Sequence, residues 1–115
     1  MSTKVVATNR KARHEYFILD TYEAGIALKG TEIKSIRAGN ISLSEAYVTV
    51  EDGSEAWLVS AHIAPYDQAS HYNHDPNRPR KLLLHRSEIH RLWDEVRKKG
   101  VTIIPLRVYL RDGLA

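Results

Sequence analysis

His71, His74 and Asp75 bring three metal-capable side chains within five residues, and an ion held there could activate water against a phosphodiester. Such a site needs a third or fourth ligand at similarly regular spacing, which the sequence does not supply. A polar surface loop accounts for the two histidines. His85 and His90 are five apart across an expected strand-to-helix junction, so they share no helical face. The chain has no cysteine, no Gly-x-Ser-x-Gly elbow and no carboxylate pair in a recognisable acid–base setting. Its six glycines form neither a phosphate-binding loop nor a dinucleotide fingerprint. No enzyme activity, metal or other cofactor is expected.

The chemistry that is present is cationic. Residues 1–39 hold seven Lys/Arg against four Asp/Glu, residues 40–77 none against six, and residues 78–115 ten against four. Those balances of +3, −6 and +6 add to the net +3 of the whole chain. If the two ends fold side by side they make one positive face and leave a separate negative one. A polyanion is the natural partner of the first, although solvated faces also carry charge without further meaning.

The elements that must position these cations are short. Residues 9–13 are polar and helix-forming, enough for one turn. Residues 14–20 are rich in aromatic and β-branched side chains and predict a strand, with 25–28 as a second extended piece and Gly25 as a bend. Residues 31–38 predict a two-turn helix capped by Thr31 and ended by Gly39, with Ile33 and Ile36 facing inward. The hairpin signal is Asp52-Gly53 between residues 46–50 and 56–63. Strict alternation there turns Trp57, Val59, Ala61 and Ile63 one way and Leu58, Ser60 and His62 the other. Residues 64–80 hold three of the four prolines and form a long loop. Residues 87–99 carry the stripe Ile89, Leu92, Trp93 and Val96 of an amphipathic helix between Ser87 and Gly100. Residues 101–111 make a last strand with Ile104, Leu106, Val108 and Leu110 on one face. Asp112-Gly113 then signals a turn whose returning strand has no residues in this sequence. The expected fold is mainly β: an antiparallel barrel of the oligonucleotide-binding type with two to three short peripheral helices.

Three blocks go beyond pattern. At residues 9–16 (NRKARHEY), 22–39 (YEAGIALKGTEIKSIRAG) and 75–84 (DPNRPRKLLL) the chain resembles the small protein B family, the bacterial partners of transfer-messenger RNA. The likeness runs through nearly the whole chain in the same order, and residues 100–109 look like the family's late strand. It implies a barrel that grips the transfer-RNA-like domain of that RNA in ribosome rescue, standing where an anticodon arm would be. The partners implied are that RNA and the ribosome. The family's final strand and basic C-terminal tail, implied to enter the messenger channel, are absent from these 115 residues, so RNA binding is expected without ribosomal tagging.

Carried over by position, the resemblance assigns RNA binding to Asn9, Arg10, Arg13, Glu23, Lys34, Arg37, Arg80, Lys81 and Leu83. The Lys and Arg side chains would contact phosphates. Glu23 has the wrong sign for phosphate; it would accept from base amino groups or ribose hydroxyls, or else pair with a nearby Arg. Alternation turns Leu83 outward between Leu82 and Leu84.

The 115 residues suit one domain. No apolar run reaches the roughly 20 residues that span a bilayer and no secretory h-region opens the chain, so a cytoplasmic monomer is expected. Two rival functions remain: a general single-strand binder that stacks bases on its aromatic residues, and a metal-dependent nuclease built on His71 and His74.

Overall fold

The computed structural model describes residues 3–66 and 73–111. Among these residues the strands are short, antiparallel and gathered in three sheets. One pairs β1 (Thr3–Thr8) with β8 (Arg107–Arg111). The largest has the order β2 (Gly25–Ile26), β7 (Arg80–Leu83), β5 (Glu55–Val59), β4 (Tyr47–Glu51). The third pairs β3 (Ile41–Ser42) with β6 (His62–Ile63). A single antiparallel bridge from Val48 to Ile103 ties β4 to the segment that leads into β8. The fold is thus mainly β with a few short helices, as expected, while a continuous ring of strand hydrogen bonds is not formed among the described residues.

One apolar core joins the sheets. Ile36 from α2 (Gly30–Arg37) meets Ile41 and Ile63 of the β3–β6 pair, Leu58 of β5, and Val108 and Leu110 of β8. Alternation along β8 explains the last two: with Val108 and Leu110 buried, Arg107 and Arg111 are exposed.

Several local features differ from expectation; the last strand, expected over residues 101–111, is regular only from Arg107 to Arg111, because before it only Ile103 finds a strand partner, in a single bridge to Val48. Residues 3–8 form a strand although they carried no strong strand signal; β8 supplies the ladder that makes extended backbone favourable there. Residues 14–20 do not form the expected strand. Helix α1 (Arg10–Glu15) runs through their start, and Phe17 and Leu19 beyond it are 97% and 79% exposed. Their composition suits a strand, yet extended backbone needs a paired neighbour, and they have none among the described residues. At β5 the alternation breaks phase at Ser60, whose φ is +62°. Ala56 and Leu58 therefore face the core before it and Ala61 and Ile63 after it, so Leu58 is inside and Trp57 lies on the other face.

The helix starts also shift by one or two residues. α2 begins after Lys29, whose backbone N–H donates to the Glu32 carboxylate at 2.7 Å. α3 (Arg86–Lys99) begins after His85, whose N–H donates to Glu88 at 2.9 Å. In both, a glutamate three residues on satisfies a free donor at the helix entrance, a role the hydroxyls of Thr31 and Ser87 were expected to fill. The stops hold: Gly39 and Gly100 take positive φ, and the Gly100 N–H returns to the Val96 carbonyl at 3.1 Å. The hairpin turn is formed as read, with Asp52 and Gly53 at φ +50° and +70°. The Asp112-Gly113 turn lies outside the described residues.

Candidate nucleic-acid interface

A buried ionic cluster ties α2 to β7. Glu32, on the inner side of α2, and Arg80, at the start of β7, are both fully buried and lie 2.7 Å apart. Arg78 adds a second guanidinium, its Nε donating to the same carboxylate at 3.0 Å. Arg80 also donates to the carbonyls of Ala61, Pro76 and Asp75 at 2.8, 3.1 and 3.3 Å. Burial alone would raise the Glu32 carboxyl, but donation from Arg78, the Lys29 backbone and Arg80, with the Arg80 charge, holds it below its ordinary range.

Around this cluster the polar bonds continue. The His74 ring lies between Thr31 Oγ1 and the Ile63 carbonyl, each at 2.8 Å. The Ser35 hydroxyl donates to the Ala64 carbonyl at 2.6 Å. Ala64 and His74 of the long loop are thereby pinned to α2, and His74 to β6 as well.

Two sequence expectations fail for the same physical reason. Arg80, expected to contact phosphate, has every direction of its guanidinium committed inside the protein and cannot reach a ligand. His74 is a buried structural histidine, 4% exposed; His71 lies outside the described residues. No group of three metal-capable side chains forms among the described residues.

Asn9 is corrected in part. It is 9% exposed, its side-chain amide donates to the Pro105 carbonyl at 3.1 Å, and its backbone N–H donates to Leu106 at 2.8 Å. It therefore fastens α1 to the approach of β8, and what it presents outward are its neighbours. Arg10 and Arg13 on α1 are exposed and line a hollow of about 370 Å3 together with Thr8, Leu106 and Arg107.

The remaining residues lie on α2, on β7 and just before β2. Lys34 and Arg37 are exposed on the outer side of α2 while Ile36 is fully buried and Ile33 half-buried. The Lys34 ammonium stands 5.4 Å from the ring centre of Tyr66. Lys81 is exposed on β7. Leu83 is 54% exposed and pairs with Gly25 of β2, where a Cβ would come within 3.3 Å of the Leu83 Cβ. Glu23, two residues before β2, pairs with Arg111 at 2.7 Å, which is the alternative that sequence reading left open for it.

A larger groove of about 900 Å3 runs between residues 16–24 and 100–109. Arg13, Glu23, Arg107 and Tyr109 all line it. Arg13 and Arg107 line both hollows, so a positive edge joins α1 to β8. Lys34 and Arg37 line neither hollow.

Arg107, Tyr109 and Arg111 were missed by sequence reading. Attention to the apolar face of residues 101–111 left the opposite face unread, and the R-x-Y-x-R spacing on one face of a strand was the available signal.

Such an arrangement can do two things chemically. Exposed guanidinium and ammonium groups attract and fix phosphates, and exposed aromatic rings and Leu83 offer surface to bases. The family model described as "SmpB protein" matches residues 6–115, a span that contains every one of these groups. The chain belongs to the SmpB family. It is 58% identical over 112 residues to the SsrA-binding protein of Desulforudis audaxviator, covering 97% of this chain and 72% of the relative. It is 62% identical over 113 residues to the SsrA-binding protein of a Roseiflexus species, covering 97% of this chain and 71% of the relative. Among solved structures it is similar to a chain reported under "tmRNA-SmpB: a journey to the center of the bacterial ribosome". That likeness has a TM-score of 0.74 at 51% identity and covers 92% of this chain and 73% of that one. SmpB-family membership agrees with the likeness in residues 9–16, 22–39 and 75–84.

Proposed function

We propose that this chain binds the transfer-RNA-like domain of transfer-messenger RNA in the bacterial cytoplasm and supports the rescue of stalled ribosomes by trans-translation, standing in for an anticodon arm. One observation carries the reading: the SmpB-family match covers the whole α1–β8 positive edge, with 58% and 62% identity to two proteins whose name states that they bind SsrA. The interface supports it with exposed cations on α1, α2, β7 and β8, those on α2 and β7 flanking the buried Glu32–Arg80 pair. Arg10, Arg13, Lys34, Arg37 and Lys81 supply phosphate contacts, and Leu83 beside Gly25 offers an apolar contact to a base or ribose. A reading of residues 1–115 as one domain is supported by the apolar core, which among the described residues draws on all three sheets.

Titration of the purified chain with the transfer-RNA-like domain over a range of salt tests the reading. Each phosphate contact releases counterions, so log K should fall with log salt by about 0.7–0.9 per contact, or roughly three to five overall if all five cations engage. A slope near zero would rule out the basic face as the source of affinity.

A further inference from the structure

We propose that Arg107, Tyr109 and Arg111 form a nucleotide subsite on β8, with Glu23 acting as a positioning residue for Arg111 and not as an RNA contact itself. The inference rests on the RNA-binding reading above and names where on β8 that RNA is held. Period-two alternation places the three side chains on the face opposite Val108 and Leu110, which are 8% and 6% exposed. The Arg107 and Arg111 guanidinium carbons lie over the Tyr109 ring, 5.7 and 5.8 Å from its centre. A ladder of this kind offers two forked donors for phosphate oxygens and planar surfaces on which a base can stack.

The Glu23–Arg111 pair has no evident duty in the fold. Both side chains are more than half exposed, at 56% and 54%, and exposed ion pairs contribute little to stability. What the 2.7 Å contact does is select one rotamer of a long flexible side chain and hold its guanidinium against the ring. Arg107, at the other end, has no acidic partner among the described residues and shares the smaller hollow with Arg10 and Arg13. A backbone running from β8 onto α1 would therefore meet Arg111, Arg107, Arg13 and Arg10 in turn. An acidic peptide could use the same cations but would gain nothing from the ring between them, so the face favours RNA.

The test uses the full 115-residue chain and the transfer-RNA-like domain, with Kd measured from 50 to 300 mM salt. Arg107→Ala and Arg111→Ala are each expected to weaken binding about tenfold and to lower the salt slope by about one, the signature of one lost phosphate contact. Tyr109→Leu should weaken binding about tenfold with the slope unchanged, because stacking releases no counterion. Glu23→Gln should weaken binding with an unchanged slope, and should cost nothing further once Arg111 is already Ala. An additive loss in the Glu23→Gln/Arg111→Ala double variant would overturn the positioning role. Arginine variants that bind like the parent would overturn the subsite while leaving the RNA-binding reading intact. A parent chain that fails to bind this RNA would overturn both, and equal competition by polyglutamate would overturn the choice of RNA over an acidic protein. Thermal unfolding of each variant within a few degrees of the parent separates lost contact from lost fold.

Discussion

Replacing Glu32 with Gln should unfold this protein more readily than any surface change, because it strands a buried cation. In the parent, Arg80 is fully buried and its charge is met at 2.7 Å by a carboxylate that is equally buried. Gln keeps the volume but removes the countercharge, and its amide nitrogen turns a donor toward donors. Removing one partner of a buried pair costs about 3–5 kcal/mol, against a total stability of about 5–15 kcal/mol for a domain. At about 4 °C per kcal/mol for a chain of this size, the midpoint should fall by ~12–20 °C.

The pH dependence gives a second handle on the same cluster. Glu32 titrates below its ordinary value of 4.5 in the folded state, so the unfolded chain takes up its proton first as pH falls. Its contribution is fully present above that ordinary value and is lost as pH drops through the folded-state value. The gap between parent and Glu32→Gln should therefore be largest at neutral pH and narrow on acidification. Urea unfolding of both proteins at pH 7 and in steps from pH 5 to 3 measures this directly. The double variant Glu32→Leu/Arg80→Met should recover part of the loss, since no fully buried charge is then left and only the half-buried Arg78 loses its partner. A Glu32→Gln protein within 1 kcal/mol of the parent at pH 7, or a gap that widens in acid, would refute the reasoning.

Two further outcomes follow from the geometry. Gly53 sits at φ +70° with the Trp93 side chain 3.2 Å from where a Cβ would be, so Gly53→Ala should cost about 1–2 kcal/mol from the left-handed backbone alone, measurable by urea unfolding. Changing Lys34 and Arg37 together to Ala should weaken RNA binding by roughly tenfold or more and lower the salt slope by about two, while the thermal midpoint stays within a few degrees because both side chains are exposed.

The local signals that proved reliable in the sequence were those in which backbone chemistry acts alone. Asp52-Gly53 must turn, Gly39 and Gly100 must stop helices, and the Ile89-Leu92-Trp93-Val96 stripe must face something apolar. Where a partner distant in sequence decides the outcome, the reading failed. β1 exists because β8 pairs with it, and residues 16–20 stay irregular because none of the described residues pairs with them. Ser60 shifts the phase of its strand through one positive φ that composition does not announce.

The candidate site divides in the same way. Exposure of Leu83 followed from alternation, and that of Lys34 and Arg37 from helical spacing. Arg80 was misread because a sequence shows a charge but not the carboxylate 48 positions away that captures it. The neighbouring Lys81 points outward for the same alternation that buries Arg80. Glu32 itself sat within the matched block without attracting notice, since a glutamate in a helix ordinarily faces water.

The most direct measurement is competition for the transfer-RNA-like domain at a fixed salt concentration. A labelled transfer-RNA-like domain bound to this chain is challenged with the same folded RNA, with an unstructured single strand of equal length, and with a duplex. The folded domain should compete at least a hundredfold better than either, since base and ribose contacts at Leu83 and on β8 add to the phosphate contribution that all three share. Equal competition by the single strand would contradict it and leave only a general basic binder.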